Sequence, residues 1–227
     1  MLSPERLPAA NLPTPVWMEV DGHRVAVIVV PSFDAPGTAD RFRDLVLAAQ
    51  ARGAEALVVD LRVNRGGLLT ECVAAASSLG PVAYQLRGSR PVGWTSTLGG
   101  LGGRLTAGPL ARWAGPEQRL WQGPAAVLVG PRTASCAELF GYFAGQAGSL
   151  VLGQPTQGVA NSSVQRFDLG AGYSLSVSLT RTFDSRAGQI RPMPRRLEPV
   201  WALPASGRPA EFPARAAAAR AALQNVR

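Results

Sequence analysis

The chain contains no lysine, and all 23 of its basic residues are arginines. Arginine keeps its proton up to about pH 12, so no side chain here supplies a neutral amine as base or nucleophile. There is one histidine, His23, and there are two cysteines, Cys72 and Cys136. Without a CxxC spacing or further histidines, a structural zinc site is excluded. Aromatic residues are only 7% of the chain, and Arg195-Arg196 is the one adjacent basic pair. The formal charge of +8 therefore lacks the clustered basic face and stacking aromatics of a nucleic-acid binder. No apolar run reaches the roughly 20 residues that cross a bilayer. The opening stretch, MLSPERLPAANLPTPVW, has no signal-like apolar core.

What is present suits one good-sized α/β domain. The 227 residues are 46% hydrophobic, and 25 glycines and 19 prolines call for many loops. VWMEV and HRVAVIVV read as strands joined by a tight Asp21-Gly22 turn. The segment from Thr38, the expected N-cap, places Phe42, Leu45, Val46 and Ala49 on one helical face. AEALVVDL and GPAAVLVG are short apolar runs of the buried-strand type. GGLLTECVAAASSLG and SCAELFGYFAGQAG follow them as helices. PVAYQLR and SLVLG read as strands, 88–122 as a long loop or loose hairpin. SVQRFDL and YSLSVSLTRTF alternate in the β manner, and the alanine-rich end is helical by propensity. This order predicts a largely parallel sheet with flanking helices. The expected boundaries are a linker over 1–15, a core over 16–204 and a helical tail over 205–227.

In such sheets, functional loops leave the carboxyl ends of strands. One such loop is PRTASCAE. Ser135 opens a helix there, where the helix dipole acts, and the Cys136 N–H is placed to donate to an oxyanion. Ser135 with Glu138 is equally a capping box, S-x-x-E, and the two roles are compatible. The other loop is DLRVNRGG. Gly66-Gly67 permits unusual dihedrals and close backbone approach. Its N–H groups either complete an oxyanion hole or merely start a helix tightly on the sheet. Asn64 and Arg65 either orient a substrate's carbonyls or carboxylate, or are solvated loop residues. Cys136 is either a thiol nucleophile or a small buried filler. Whether Cys72 and Cys136 pair stays open.

Taken together, VAVIVVPSF, ALVVDLRVNRGGLL, VLVGPRTASCAELF, VLGQPTQG and LEPV, in this order, resemble the catalytic core of the C-terminal processing, or tail-specific, serine peptidases. The resemblance implies a crotonase-like α/β fold over about residues 16–204. It implies a serine-type endopeptidase with Ser135 as nucleophile and the amides of Gly66 or Gly67 and Cys136 as oxyanion hole. It also implies a peptide or protein substrate, engaged through its C-terminus, no cofactor or metal, and action outside the cytoplasm. Members commonly carry a peptide-binding PDZ domain, for which the sequence shows no room.

One departure bears on mechanism. The family's general base is a lysine in a Thr-x-Gly-Lys turn, and here the turn reads QPTQGVAN, with Val159 in the lysine position. Gln146 falls where some members carry an assisting carboxylate. A serine hydroxyl is a weak nucleophile until its proton is removed. A related branch of such peptidases uses a histidine upstream of the first core strand, which makes His23 one candidate base. The other is a carboxylate or amide-held water near Ser135, from Glu138, Glu71 or Gln157. Two rival functions follow: a non-catalytic relative that binds peptides or apolar ligands, and an acyl-CoA enzyme on the same broad fold.

Overall fold

The computed structural model describes residues 11–88, 109–114, 119–202 and 212–225. The readings for the start of the linker, the middle of the 88–122 loop and the approach to the terminal helix fall outside them. Strands β1 (Thr14–Val20) and β2 (His23–Val29) form the expected antiparallel hairpin. Its turn residues Asp21 and Gly22 both have positive φ, 53° and 84°. This is the backbone that a two-residue turn needs to match strand twist.

From β2 onward the sheet is parallel. β3 (Ala56–Asp60) lies on β2, β6 (Ala125–Val129) on β3, and β7 (Leu150–Gly153) on β6. A short β11 (Trp201–Ala202) closes the far edge. The apolar strands are buried throughout because both faces are covered. On one face, α1 (Thr38–Ala51), α2 (Leu69–Ala76) and α3 (Cys136–Gln146) build the larger core, where Phe33 and Phe42 pack on Phe140 with ring centroids 5.9 and 5.4 Å away. On the other face lies α4 (Phe212–Gln224), whose Ala216, Ala218, Ala219 and Ala222 pack on Val27, Val58 and Ala126. Arg215 of α4 bonds the Asp60 carboxylate at the end of β3, which also holds Arg62. The tail helix is therefore one layer of the fold.

A second, antiparallel sheet is a feature the sequence reading did not separate. β4 (Ala83–Gly88) pairs with β5 (Pro109–Ala114) and with β9 (Tyr173–Asp184). β9 also pairs with β8 (Ser162–Gly170) and the two-residue β10 (Arg191–Pro192). Of the two readings of 88–122, the antiparallel β4–β5 pair fits the loose hairpin. Gly37, with φ 84°, and not Thr38, stands at the N-cap of α1. Thr38 Oγ1 donates to the Ala35 carbonyl, and the Glu71 carboxylate from α2 accepts the N–H groups of Gly37 and Ala39. A carboxylate from a neighbouring helix does what a local cap would otherwise do.

Candidate active site

Three loops meet at the carboxyl ends of β3, β6 and β7. The first, 61–68, carries Gly66-Gly67. The second, 130–135, leads into α3. The third, 154–159, holds Thr156 and Val159. Thr133, fully buried, stitches the first two: its Oγ1 donates to the Leu61 carbonyl and accepts the Gly130 N–H. The Thr133 carbonyl in turn accepts the Gln157 N–H at 2.9 Å.

Asn64 is fully buried, which removes the solvated-loop reading for it. Its Nδ2 donates to the Val30 carbonyl and its Oδ1 accepts the Gly66 N–H at 2.8 Å. Its own carbonyl accepts the Ala134 N–H. Arg65 beside it is exposed. Gly66, with φ 99°, presses on the serine: a Cβ there would lie 2.9 Å from Ser135 Cβ and 3.1 Å from the Cys136 nitrogen. Gly67 lies against Phe33, in a parallel bridge made by the Gly66 carbonyl and the Leu68 N–H. That pattern turns the Gly67 N–H to the opposite side. Among the described residues, neither the Gly67 nor the Cys136 N–H has a hydrogen-bond partner.

Ser135 is half-buried at the start of α3, with φ 55° and ψ −126°. A side chain at positive φ is strained, at a cost of about 1–3 kcal/mol, and such strain gathers at functional sites. Glu138 holds this turn. It is 0% exposed, and its carboxylate accepts hydrogen bonds from the N–H groups of Ser135, Gly158 and Val159 and from the Thr156 hydroxyl. Its two oxygens are occupied by four donors, so Glu138 ties the serine turn to the Thr156–Val159 turn. Glu71 caps α1, and the Gln157 side chain is exposed. Among the described residues, no carboxylate or imidazole is hydrogen-bonded to the Ser135 hydroxyl.

The structure does not bring His23 to Ser135. His23 opens β2 at the amino-terminal end of the parallel sheet, two residues before the Val25–Ala56 pair. Ser135 follows the carboxyl end of β6, whose register begins at Leu57–Ala125. Some seven strand residues separate the two levels, about 20 Å at the usual rise. The His23 side chain is 48% exposed and its Nδ1 contacts Glu55 at 2.8 Å. That imidazole holds the Glu55 carboxyl below the usual glutamate range.

Cys136 and Cys72 are both buried free thiols. Burial, then contact with Cys136, pushes the Cys72 thiol well up. Both are too buried for the accessible setting of a reactive cysteine. Val159 is 37% exposed, so the Thr156–Val159 turn carries apolar surface open to solvent. Sequence reasoning named Asn64 but not its bond to the Gly66 N–H, and it missed the stitch made by Thr133 and the fourfold role of Glu138. Its one available signal was the S-x-x-E spacing.

A serine on a strained strand-to-helix turn, with backbone N–H groups beside it, is an arrangement that some acyl-transfer enzymes use. The model of peptidase family S41 matches residues 24–193, and the chain belongs to that family. It is 43% identical over 75 residues to the tail-specific protease of Haemophilus influenzae, a match covering 30% of this chain and 11% of that protein. Among solved structures it resembles an S41 protease of Bacteroides fragilis, with a TM-score of 0.64 at 16% identity, over 93% of this chain and 56% of that one. It also resembles the photosystem II D1 C-terminal processing protease, with a TM-score of 0.59 at 19% identity, over 87% and 46% of the two chains. The chain thus spans about half the length of these structures, and far less of the Haemophilus protein.

Proposed function

We propose that this chain is the core of a serine endopeptidase, crotonase-like in fold, that acts on peptide or protein substrates. Ser135 is the nucleophile. The N–H groups of Cys136 and Gly67 bind the oxyanion, since the Gly66 N–H is taken by Asn64. The observation that carries this reading is the conjunction at Ser135: a strained backbone flanked by two amides that no other described group uses. Strain and unused donors both cost stability, and charge development on a substrate carbonyl is what they serve.

With Val159 in the lysine position and His23 at the far end of the sheet, water or hydroxide takes the serine proton. An oxyanion hole and substrate positioning without a base still retain about 10³–10⁴-fold over the uncatalysed reaction. The enzyme is therefore slow, and faster as pH rises. A fluorophosphonate probe tests the assignment. Labelling at Ser135, with slow cleavage of a disordered peptide that Ser135→Ala abolishes, is the expected result. An unlabelled serine in folded protein would sink it. The Val159 replacement favours a second reading, a peptide-binding relative that does not cleave. Peptide binding without labelling or turnover is its signature.

A further inference from the structure

Beyond Val159 lies a cavity of about 430 Å³ whose wall includes Ser178, Thr180, Arg181 and Arg195. Five of the described arginines have an acidic partner. Arg62 and Arg215 share Asp60, Arg186 holds Asp184, Arg220 holds Asp21 and Arg43 reaches Asp40. Arg181 and Arg195, like the remaining described arginines, meet no carboxylate among the described residues. Among the described residues, the one side-chain bond of Arg195 runs from Nε to the Gly158 carbonyl at 3.1 Å, and its terminal nitrogens have no partner. Thr180 is only 9% exposed, and its Oγ1 has no hydrogen-bond partner among the described residues. A buried hydroxyl in that state costs about 1–3 kcal/mol. Two guanidinium groups without a carboxylate partner on one concave surface favour an anion.

The cavity is also close to the candidate nucleophile. One Glu138 oxygen, Oε2, accepts both the Ser135 and the Val159 N–H, at 2.9 and 3.0 Å. The two nitrogens are therefore within about 6 Å of each other. An extended peptide advances about 3.3 Å per residue. A chain held at Ser135 thus brings a side chain one to three residues from the scissile bond over Val159 and into the cavity.

We infer that this cavity is a specificity subsite for the carboxylate of an acidic side chain, Asp or Glu, in the bound peptide, gripped by Arg181 and Arg195. The inference rests on the peptide-binding reading above and names what that site prefers. The excess of 23 basic over 15 acidic residues favours acidic ligands in general, so the test must separate the subsite from bulk charge.

Fluorescein-labelled peptides are titrated against the Ser135→Ala protein by anisotropy. One carries an internal Glu and an amidated C-terminus. The second has Gln in place of Glu. The third has Gln and a free C-terminal carboxylate. The expected result is at least tenfold tighter binding of the Glu peptide than of either other. Arg181→Gln and Arg195→Gln each cut that preference to about threefold, and the double variant abolishes it. Arg43→Gln on α1, with the same change in net charge, leaves it intact. Equal binding of the Glu and Gln peptides overturns the subsite while leaving the peptide reading in place. Preference for the free C-terminus alone, or equal loss with Arg43→Gln, also overturns it. No binding by any peptide removes both readings.

Discussion

Replacing Glu138 by glutamine removes one charge and alters no volume, yet it should be among the costliest substitutions in the molecule. In the protein, Oε1 accepts from Thr156 and Gly158, and Oε2 from Ser135 and Val159. A glutamine keeps one acceptor and turns an NH₂ on the other pair. The cheaper orientation puts the NH₂ toward Thr156, whose hydroxyl accepts the Leu197 N–H and has a lone pair to spare. That still orphans the buried Gly158 N–H, at about 1–3 kcal/mol. The bonds from Ser135 and Val159 lose their charge assistance, about 1 kcal/mol each. The sum is about 3–5 kcal/mol, a third or more of a typical domain's stability. For a chain of this size, 1 kcal/mol moves the melting temperature by about 2–4 °C. Thermal unfolding followed by circular dichroism should therefore show a fall of about 6–20 °C. Fluorophosphonate labelling of Ser135, measured well below the transition, should fall with it, because the serine turn loses its tether. A shift under 2 °C would refute the claim that this one carboxylate ties the two turns together.

Other outcomes follow from the same geometry. Ser135→Gly relieves the backbone at φ 55° and should raise stability by about 1 kcal/mol; an unchanged or lower melting temperature would show that the turn carries no strain. Gly67→Ala places a Cβ 2.3 Å from the Phe33 carbonyl carbon at φ 140° and should cost about 2–4 kcal/mol, read from a urea midpoint. Val159→Lys should raise peptide turnover about 10²–10⁴-fold, with a rate that climbs through the lysine's own pKa as the amine becomes neutral; a flat pH profile would count against Val159 as the base position. Burial raises the Asp184 carboxyl, but Arg186 and Tyr142 outweigh it and leave it below the usual aspartate value. A lowered carboxylate stabilises the fold above its unfolded value and loses that contribution as pH falls through the folded one. Asp184→Asn should therefore flatten acid destabilisation below about pH 4 and lower stability at neutral pH.

Much of this protein was legible without coordinates, and for local reasons. The Asp21-Gly22 turn, the apolar runs of β3 and β6 and the helical face of α1 are written in residue type and period. Those signals depend on neighbours a few residues apart. The order of VVDLRVNRGG, VGPRTASCAE and QPTQGV pointed to a peptidase family, and the missing lysine was a plain fact of composition. What stayed hidden depends on topology. His23 was a fair candidate base in a linear string, but a parallel sheet puts strand beginnings and strand ends on opposite sides of the molecule. Whether Gly66 or Gly67 keeps a free N–H turned on a side chain, Asn64, whose burial no period announces. The S-x-x-E spacing around Ser135 suggested a cap, and only folding carried the Thr156–Val159 turn onto the same carboxylate. Arg181 and Arg195 are scattered arginines in sequence and share one cavity in space. The sequence by itself settled the family, the elements and the absence of the lysine, because each is a property of residue types along the chain. The tertiary structure alone decided which groups meet at Ser135, because register and crossover bring distant residues within hydrogen-bonding reach.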